Sequence, residues 1–344
     1  MTPAEVKKFR SRWVGPDGRD RALAACRWLA GSGPLPEWLD RSGGRIDLRG
    51  LPFPDARSLG SHSAGNQSFR SIDGFPEFTG VTWKGIDLSG ATIRNARFVG
   101  ARIEDCLFER AELDDWRLWH TEVIDCSFVA ADLRGSALAA ADESVNGHTL
   151  WRSVSFDGAN LDAAHFWQGE LTRCTFRGAK LRKTRFEYVD FEEVIFEGLL
   201  DRVLLEARPA DGRPQGVKPM RAVSFADALF RDCQFQGYRC ESVVLPEGVL
   251  LVKDLRSVVI QATQSTNTAD DEIMNRVIDY FSRLVRPTTE SGWDYVYFPA
   301  DLVAIGEDAE AQKTWEMLVS AMKEIGTPTD ASARAKPRWN PFRK

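Results

Sequence analysis

Residues 86–95 read Ile-Asp-Leu-Ser-Gly-Ala-Thr-Ile-Arg-Asn, and residues 131–135 and 159–163 repeat the theme as Ala-Asp-Leu-Arg-Gly and Ala-Asn-Leu-Asp-Ala. In each group of five, a small or aliphatic residue precedes a large apolar residue by two positions. Stepping by five from Phe78 to Leu138 meets only apolar residues, and a second phase continues the series from Trp151. The 23 positions are Phe78, Trp83, Leu88, Ile93, Phe98, Ile103, Phe108, Leu113, Leu118, Val123, Phe128, Leu133 and Leu138, then Trp151, Phe156, Leu161, Phe166, Leu171, Phe176, Leu181, Phe186, Phe191 and Phe196. With 43% apolar residues overall, chance gives such a run with a probability of about 4 × 10⁻⁹.

A period of five fits neither regular secondary structure. A helix repeats every 3.6 residues and a strand every two, so either would turn successive large residues toward different faces. A chain that turns a corner every five residues instead places one small and one large side chain inward on each side. Four such sides make a coil of about twenty residues, which stacks on the next coil at about 4.8 Å through backbone hydrogen bonds.

These pentads resemble the consensus A(D/N)LxX of the pentapeptide-repeat family, over at least residues 76–198. The resemblance implies a mainly β fold, a right-handed quadrilateral β-helix. It also implies a bacterial protein, because family members include self-protection proteins of antibiotic producers. Some members protect DNA gyrase from quinolones or peptide toxins by mimicking DNA, and members often dimerise through a C-terminal helix.

The rest of the chain is organised around this column. We expect a helical N-terminal cap over residues 1–45, with helices near 3–13 and 19–30, because an uncovered coil end exposes unpaired backbone groups that can pair with other chains. The column itself spans 46–262, with excursions near 54–75, 139–150 and 199–222. Residues 263–326 show helical spacing and predict a C-terminal α-helical cap or dimerisation element, and 327–344 a disordered basic tail.

Charge and targeting signals limit the partners. The net charge is −5, but residues 1–30 and 327–344 are basic, so the column is acidic and we expect it not to bind nucleic acid directly. No apolar run is long enough to span a bilayer, and the charged N-terminus lacks a signal-peptide core. We therefore expect a cytoplasmic protein without a membrane partner.

No catalytic pattern is present in the sequence. There is no HExxH, GxGxxG, Walker or GxSxG motif, and the six cysteines form no CxxC pair. Four of them, Cys106, Cys126, Cys174 and Cys233, occupy the small inward positions, where filler is the expected role rather than metal binding. We predict no enzyme activity, no cofactor and no metal site.

Sorting outward residues by side gives two candidate surfaces, provided that the 139–150 excursion rejoins the coil without skipping a side. One side is acidic, and the other is rich in aromatic and basic residues typical of interface hot spots. The acidic set is Glu104, Asp105, Glu122, Asp125, Glu170, Asp190, Glu192 and Glu193. The aromatic-basic set is Arg97, Arg117, Trp119, His120, His165, Trp167 and Tyr188.

Two functions follow from these surfaces. The preferred hypothesis is a non-enzymatic protein-interaction scaffold that binds a partner through the aromatic-basic side and the excursions. The alternative is a DNA-mimicking protector of DNA gyrase or another topoisomerase, which stacked carboxylates on successive coils would support. Lysines and arginines interleaved with those carboxylates weaken the alternative, and neither hypothesis names the partner. A homodimer through the C-terminal helices is compatible with both.

Overall fold

The computed structural model describes residues 1–140, 147–207, 218–246, 249–252, 260 and 295–297. Its backbone turns a corner two residues after each large inward side chain. Left-handed backbone recurs there, as at Asn95, Asp105, Asp115 and Asp125, whose φ angles run from 52° to 60°. Among residues with a side chain, Asn and Asp tolerate this conformation best. The corners therefore explain both the period and the residue types that follow the apolar positions.

Two sides of the column are long sheets of parallel strands, one strand per coil. Side 1 consists of β5 (Phe75–Thr79), β8 (Arg97–Val99), β10 (Arg117–Trp119), β12 (Ala137–Ala140), β14 (His165–Trp167), β17 (Arg185–Glu187), β20 (Leu204–Glu206) and β23 (Gln234–Gln236). Side 2 consists of β6 (Thr82–Lys84), β9 (Arg102–Glu104), β11 (Glu122–Ile124), β13 (Thr149–Arg152), β15 (Gly169–Thr172), β18 (Asp190–Glu192), β21 (Lys218–Arg221) and β24 (Tyr238–Glu241).

The other two sides are held mostly by single bridges. Side 3 begins with β1 (Arg41–Ser42), β2 (Arg45–Asp47) and β7 (Ile86–Asp87), continues through bridges at Leu107, Ser127 and Ser155, and ends in β16 (Thr175–Arg177), β19 (Ile195–Asp201) and β22 (Ser224–Arg231). Side 4 joins Pro52, Thr92, Glu112, Asp132, Asn160 and Lys180 by parallel bridges. The long strands β19 and β22 continue past the corner from side 3 onto side 4.

The register shows how the sides align across the excursion at 139–150. Val123 of β11 pairs with Trp151 of β13, and Ala137 of β12 pairs with His165 of β14. Each strand therefore meets the next strand of the same side, so the excursion rejoins the coil without skipping one. Strand β12 absorbs an irregularity, because its register shifts between Ala137 and Ala139.

All 23 large residues of the two sequence phases are buried, and they form the core. On side 3 the rings of Phe108, Phe128, Phe156, Phe176, Phe196 and Phe225 stack one above another, with neighbouring centroids 4.7–5.5 Å apart. Buried indoles are hydrogen-bonded to backbone: Trp151 Nε1 donates to the Leu138 carbonyl at 2.8 Å. The core is thus a continuous apolar stack, and backbone carbonyls accept hydrogen bonds from the indoles buried in it.

Two α-helices precede the column, α1 (Pro3–Ser11) and α2 (Pro16–Leu29). Thr2 caps α1 by accepting a hydrogen bond from the Glu5 backbone N–H, and Pro3 occupies the first turn. Trp13 Nε1 donates to the Arg49 carbonyl at 2.9 Å, and Trp83 Nε1 donates to the Leu29 carbonyl at the same distance. The helices therefore contact the first coil directly.

The first excursion contains a 3₁₀ helix (Ala56–Leu59) and a hairpin. The hairpin strands β3 (His62–Ala64) and β4 (Gln67–Ile72) pair antiparallel with each other, and β4 pairs antiparallel with β5. They extend side 1 at its N-terminal edge.

The third excursion is narrower than the 199–222 that the sequence predicts. Leu200, Leu205 and Met220 are buried in the inward series, so the coil continues through 207 and resumes at 218. The spacing from Phe196 to Leu200 is four residues instead of five. Because of this one-residue slip, stepping through the sequence by five does not find the coil that continues after Phe196.

The C-terminal predictions fall mostly outside the described residues. A two-stranded antiparallel sheet pairs β25 (Leu250–Val252) with β26 (Tyr295–Tyr297). The expected helices within 263–326 and the tail 327–344 lie outside the described part of the chain.

Candidate protein-binding surface

Trp119 and Trp167 occupy the same outward position on strands β10 and β14 of side 1. Between those strands lies β12, where Ala140 is the register partner of Trp119. Both indoles are half-buried, although they point away from the core. Two large aromatic side chains thus lie on either side of a strand whose outward residue is alanine.

His120 occupies the corner that follows Trp119, with φ +48°. Its Nδ1 lies 2.9 Å from the carbonyl oxygen of Gly147, the residue at which the described chain resumes after Ala140. Its Nε2 is buried and has no hydrogen-bond partner within the described structure. His120 therefore ties the base of the excursion to the corner beside Trp119.

His165, one residue upstream of the inward Phe166, is paired with an acidic side chain of the next coil. His165 Nε2 lies 2.9 Å from Glu187 Oε2, and Arg185 donates a hydrogen bond to the same carboxylate. Burial lowers the pKa of His165 below its ordinary value, while the Glu187 carboxylate acts in the opposite direction. The net effect favours a neutral imidazole.

The remaining members of the aromatic-basic set lie on the same side or at its corner. Arg97 and Arg117 are register partners on β8 and β10, and Arg117 forms an ion pair of 2.8 Å with Asp115. Tyr188 occupies a corner with φ +59°, and the Lys218 ammonium lies 4.2 Å from the centroid of its ring. The register therefore places all seven predicted residues along one side of the column.

The acidic set lies along side 2, but cations neutralise half of it. Glu104 is 2.8 Å from Lys84 and 2.9 Å from Arg102. Hydrogen bonds from Lys84 and then Arg102 lower the pKa of Glu104 below its ordinary value. Three further pairs join Asp105 to Arg45, Glu122 to Arg102, and Asp190 to Lys218.

The other four carboxylates are Asp125, Glu170, Glu192 and Glu193, for which the described structure shows no ion pair. They share their side with Arg152, Arg221 and Arg239, so charges of both signs occur along it. Side 2 is therefore a mixed-charge surface rather than a continuous row of anions.

Three contributors were missed by sequence reasoning. Glu187 fixes His165, Lys218 covers Tyr188, and Gly147 anchors His120. Glu187 could have been identified from the sequence, because it occupies the same outward position as Trp167 on the next coil. Lys218 and Gly147 carried no such signal, since both follow breaks in the five-residue phase.

Neither a metal site nor a membrane span is found in this part of the chain. Among the described residues, no three His, Cys, Asp or Glu side chains come together in a way that could hold a metal ion. Neither described helix is long and apolar enough to cross a bilayer.

The chain was compared with known proteins. The family model "Pentapeptide repeats" matches with eight copies, over residues 77–110 and 155–198. A comparison with curated proteins gives no significant match.

Solved structures with similarity to the chain include three pentapeptide-repeat or resistance proteins. HetL, a pentapeptide repeat protein involved in heterocyst differentiation regulation from the cyanobacterium Nostoc sp. strain PCC 7120, is 18% identical over 50% of this chain and 83% of its own, with a TM-score of 0.28. A pentapeptide repeat protein of the Arabidopsis thaliana thylakoid lumen is 23% identical over 33% of this chain and 68% of its own (TM-score 0.19). QnrB1, a plasmid-mediated fluoroquinolone resistance protein, is 13% identical over 54% and 87% (TM-score 0.25).

The family match falls on the two regions in which the five-residue phase is cleanest. Both regions lie in the four-sided column, whose corners and inward residues follow the same period. Residues 77–110 and 155–198 of this chain are therefore pentapeptide repeats.

Proposed function

We propose that this chain is a non-enzymatic scaffold that binds a protein partner through side 1, with Trp119 and Trp167 as its central contacts. The observation that carries the proposal is the placement of two outward indoles on either side of Ala140. Tryptophan is enriched among the few residues that supply most of the affinity in protein interfaces. Indoles on a rigid sheet also lose little conformational freedom on binding.

The spacing of the two indoles sets the kind of group that fits between them. They stand two strands apart, which at ordinary strand spacing is about 9–10 Å. Because the residue between them is the small Ala140, the two indoles leave a slot that is wide enough for one apolar or planar side chain of the partner. An aromatic ring, or the flat face of an arginine guanidinium, would contact both indoles at once.

Charges around the slot are mixed and would orient the partner rather than supply its affinity. Arg97, Arg117 and Arg185 contribute positive charge, and Asp115 and Glu187 contribute negative charge. The base of the excursion, held at His120, adjoins Trp119. We therefore include residues 139–150 in the proposed surface.

The helices α1 and α2 serve this scaffold, in our proposal, by closing its N-terminal end. The hydrogen bonds from Trp13 and to the Leu29 carbonyl support this role. An open end would expose unpaired backbone groups to other chains.

Quantitative affinity capture from an extract of the source organism tests the proposal. The full chain is compared with Trp119→Ala and Trp167→Ala, and with Trp38→Ala as a matched control, because Trp38 is a partly exposed indole on the N-terminal segment. We expect the same partner to be lost, at least tenfold, from both side 1 variants but not from the control. Unchanged capture by both side 1 variants, with their folds intact, would contradict the proposal.

The alternative is a DNA-mimicking binder of DNA gyrase. The four carboxylates without ion pairs on side 2 support it, and the ion pairs of the other four weigh against it. A gyrase supercoiling assay, with and without a quinolone, decides: inhibition or protection at micromolar protein favours the alternative, and no change excludes it. Asp125→Asn with Glu192→Gln and Glu193→Gln should abolish any such effect.

A further inference from the structure

Two outward rows run along side 1, and each takes one residue from every coil. The first row is basic except at its middle, and the second row, two residues further along each strand, is apolar. The basic row consists of Arg97, Arg117, Ala137, His165 and Arg185, and the apolar row consists of Val99, Trp119, Ala140 and Trp167.

Both rows contain an alanine at the same coil, on strand β12. Ala137 is the register partner of Arg117 on one neighbouring strand and of His165 on the other, and Ala140 is the partner of Trp119. The larger side chains of β10 and β14 therefore form the two walls of a groove. Strand β12 is its floor, so the groove runs parallel to that strand.

A bulge in β12 keeps this floor free of large side chains. The strand has one residue more than β10 between the two rows, and Leu138 and Ala139 are both buried. A Cβ atom at Gly169 would lie only 2.7 Å from the Cβ of Ala139, so glycine at that position makes room for the additional inward methyl group. Bulges of this kind often lie beside functional sites.

The width of the groove favours an extended segment of the partner over a helix. Its walls are two strand spacings apart, about 9–10 Å, whereas an α-helix with its side chains is about 10–12 Å across. In an extended segment, residues i and i+2 point to the same face and lie about 6.5 Å apart. The two rows have the same separation, because they come from residues i and i+2 of the strands of side 1.

The basic row keeps a net positive charge. Arg117 pairs with Asp115 at 2.8 Å, and Arg185 pairs with Glu187. Arg97 is the third arginine of the row, and the described structure shows no ion pair for it.

The carboxylate on the strand before Arg97 does not change this balance. Glu77 of β5 is the register partner of Arg97, but its side chain pairs with Arg70. An acidic side chain of a partner would therefore find uncompensated positive charge at this end of the groove.

We propose that the partner of side 1 inserts an extended segment into this groove, with an aromatic residue between Trp119 and Trp167 and a carboxylate two residues away. The carboxylate lies above Ala137 and is held by Arg117 and Arg97. This inference rests on the proposed function, because it takes side 1 as the binding surface, and it names the chemistry of the segment that binds there.

Fluorescence polarisation with three labelled peptides tests the proposal on the full-length protein. The first peptide is Gly-Ser-Thr-Phe-Thr-Glu-Thr-Ser-Gly, the second has Lys in place of Glu, and the third has three residues between Phe and Glu, the spacing that a helix requires. We expect the first peptide to bind at least tenfold more tightly than the other two at low salt. Arg117→Glu should reverse the preference for Glu over Lys, whereas Arg152→Glu, on side 2, should leave it unchanged.

Three results would overturn the proposal: equal affinity for the Glu and Lys peptides, tighter binding of the third peptide, or no binding of any peptide at millimolar concentration.

A variant that fills the groove separates this inference from the proposed function. Ala137→Trp should weaken binding of the first peptide and of the natural partner at least tenfold, whereas Leu204→Trp, at the same outward position on β20, should not. The melting temperature of each variant shows whether the column remains folded. If Trp119→Ala and Trp167→Ala lose the natural partner but a folded Ala137→Trp retains it, side 1 is the binding surface and the groove assignment is overturned.

Discussion

Arg12 binds Asp47 through two guanidinium nitrogens: Nη1 lies 3.0 Å from Oδ2, and Nη2 lies 2.8 Å from Oδ1. Arg49 donates to the same carboxylate from its side chain and its backbone N–H. Asp47 is almost fully buried, so one carboxylate of the first coil holds Arg12, the C-cap residue of α1. The N-terminal helices are therefore attached to the column by a charge network as well as by apolar packing.

The first prediction concerns acid stability. Burial raises the pKa of Asp47, but hydrogen bonds from Arg49 and Arg12 outweigh burial, and the net pKa lies well below the ordinary 3.8. Since the folded pKa is depressed, this stabilisation is present above about pH 4 and is lost as the pH falls further. Asp47→Asn should cost about 1 kcal/mol at pH 7 and progressively less below pH 4; the value is kept small because its partner Arg12 is one-third exposed and solvent screens the ion pair.

Urea unfolding of the wild type and Asp47→Asn at several pH values measures this difference. Glu37→Gln, on an exposed carboxylate, serves as the control and should leave the profile unchanged. A stability difference that stays constant between pH 7 and pH 3 would contradict the assignment.

The second prediction concerns the corners. Ala163 is exposed and has φ +58°, a conformation that a β-branched side chain resists. Ala163→Val should therefore destabilise the fold by about 1–2 kcal/mol, whereas Ala163→Gly should be neutral or slightly stabilising. Ala137→Val, at a strand position without a positive φ, should cost less. The melting temperatures of the three variants test this order. If Ala163→Val and Ala137→Val lower the melting temperature equally, the corner at residue 163 is not strained.

The third prediction concerns the phenylalanine stack. Phe176 lies 4.9 Å from Phe156 and 4.8 Å from Phe196, centroid to centroid. Phe176→Ala removes both contacts and leaves a cavity that the neighbouring coils cannot close, so it should cost about 3–5 kcal/mol. Val129→Ala, at a half-buried outward position on the same side, should cost under about 1 kcal/mol. If chemical denaturation shows that Phe176→Ala and Val129→Ala lose the same free energy of unfolding, Phe176 is not in the core.

The fourth prediction concerns His165. Burial depresses its folded pKa below 6.5, and Glu187 only partly offsets this. Its contribution to stability is therefore present above pH 6.5 and is lost as the pH falls through the folded pKa. His165→Gln should flatten the dependence of the melting temperature between pH 7.5 and pH 5, and His148→Gln, at an exposed histidine, should not. If the melting temperature of His165→Gln depends on pH as steeply as that of the wild type, a group other than His165 causes the dependence.

The column could be predicted from the sequence because its inward positions recur without exception over residues 78–138 and again over 151–196. Phe98, Phe108 and Phe176 are all buried as the period requires. The slip after Phe196 could not be predicted, since the long strand β19 passes the corner at Gly198 without adding a fifth residue. A fixed period has no means of detecting a coil that is one residue shorter.

The candidate surfaces were predicted in outline only. Sorting by side brought Trp119 and Trp167 together correctly, because the register across 139–150 is continuous. Composition alone could not show that both indoles are half-buried or that Arg102 pairs with Glu122 of the next coil. Such contacts depend on side-chain direction across coils, which a list of outward residues does not contain.

The reactivity of the cysteines tests the inward series most directly. Cys106, Cys126, Cys174 and Cys233 occupy small inward positions on different coils and are buried. Burial raises the pKa of the Cys174 thiol to about 12 and that of Cys126 well above its ordinary value, so little reactive thiolate forms. The inward series predicts that a thiol reagent leaves all six cysteines of the folded chain unmodified over hours and labels all six after unfolding. Rapid labelling of any of these four inward cysteines in the folded chain would contradict it.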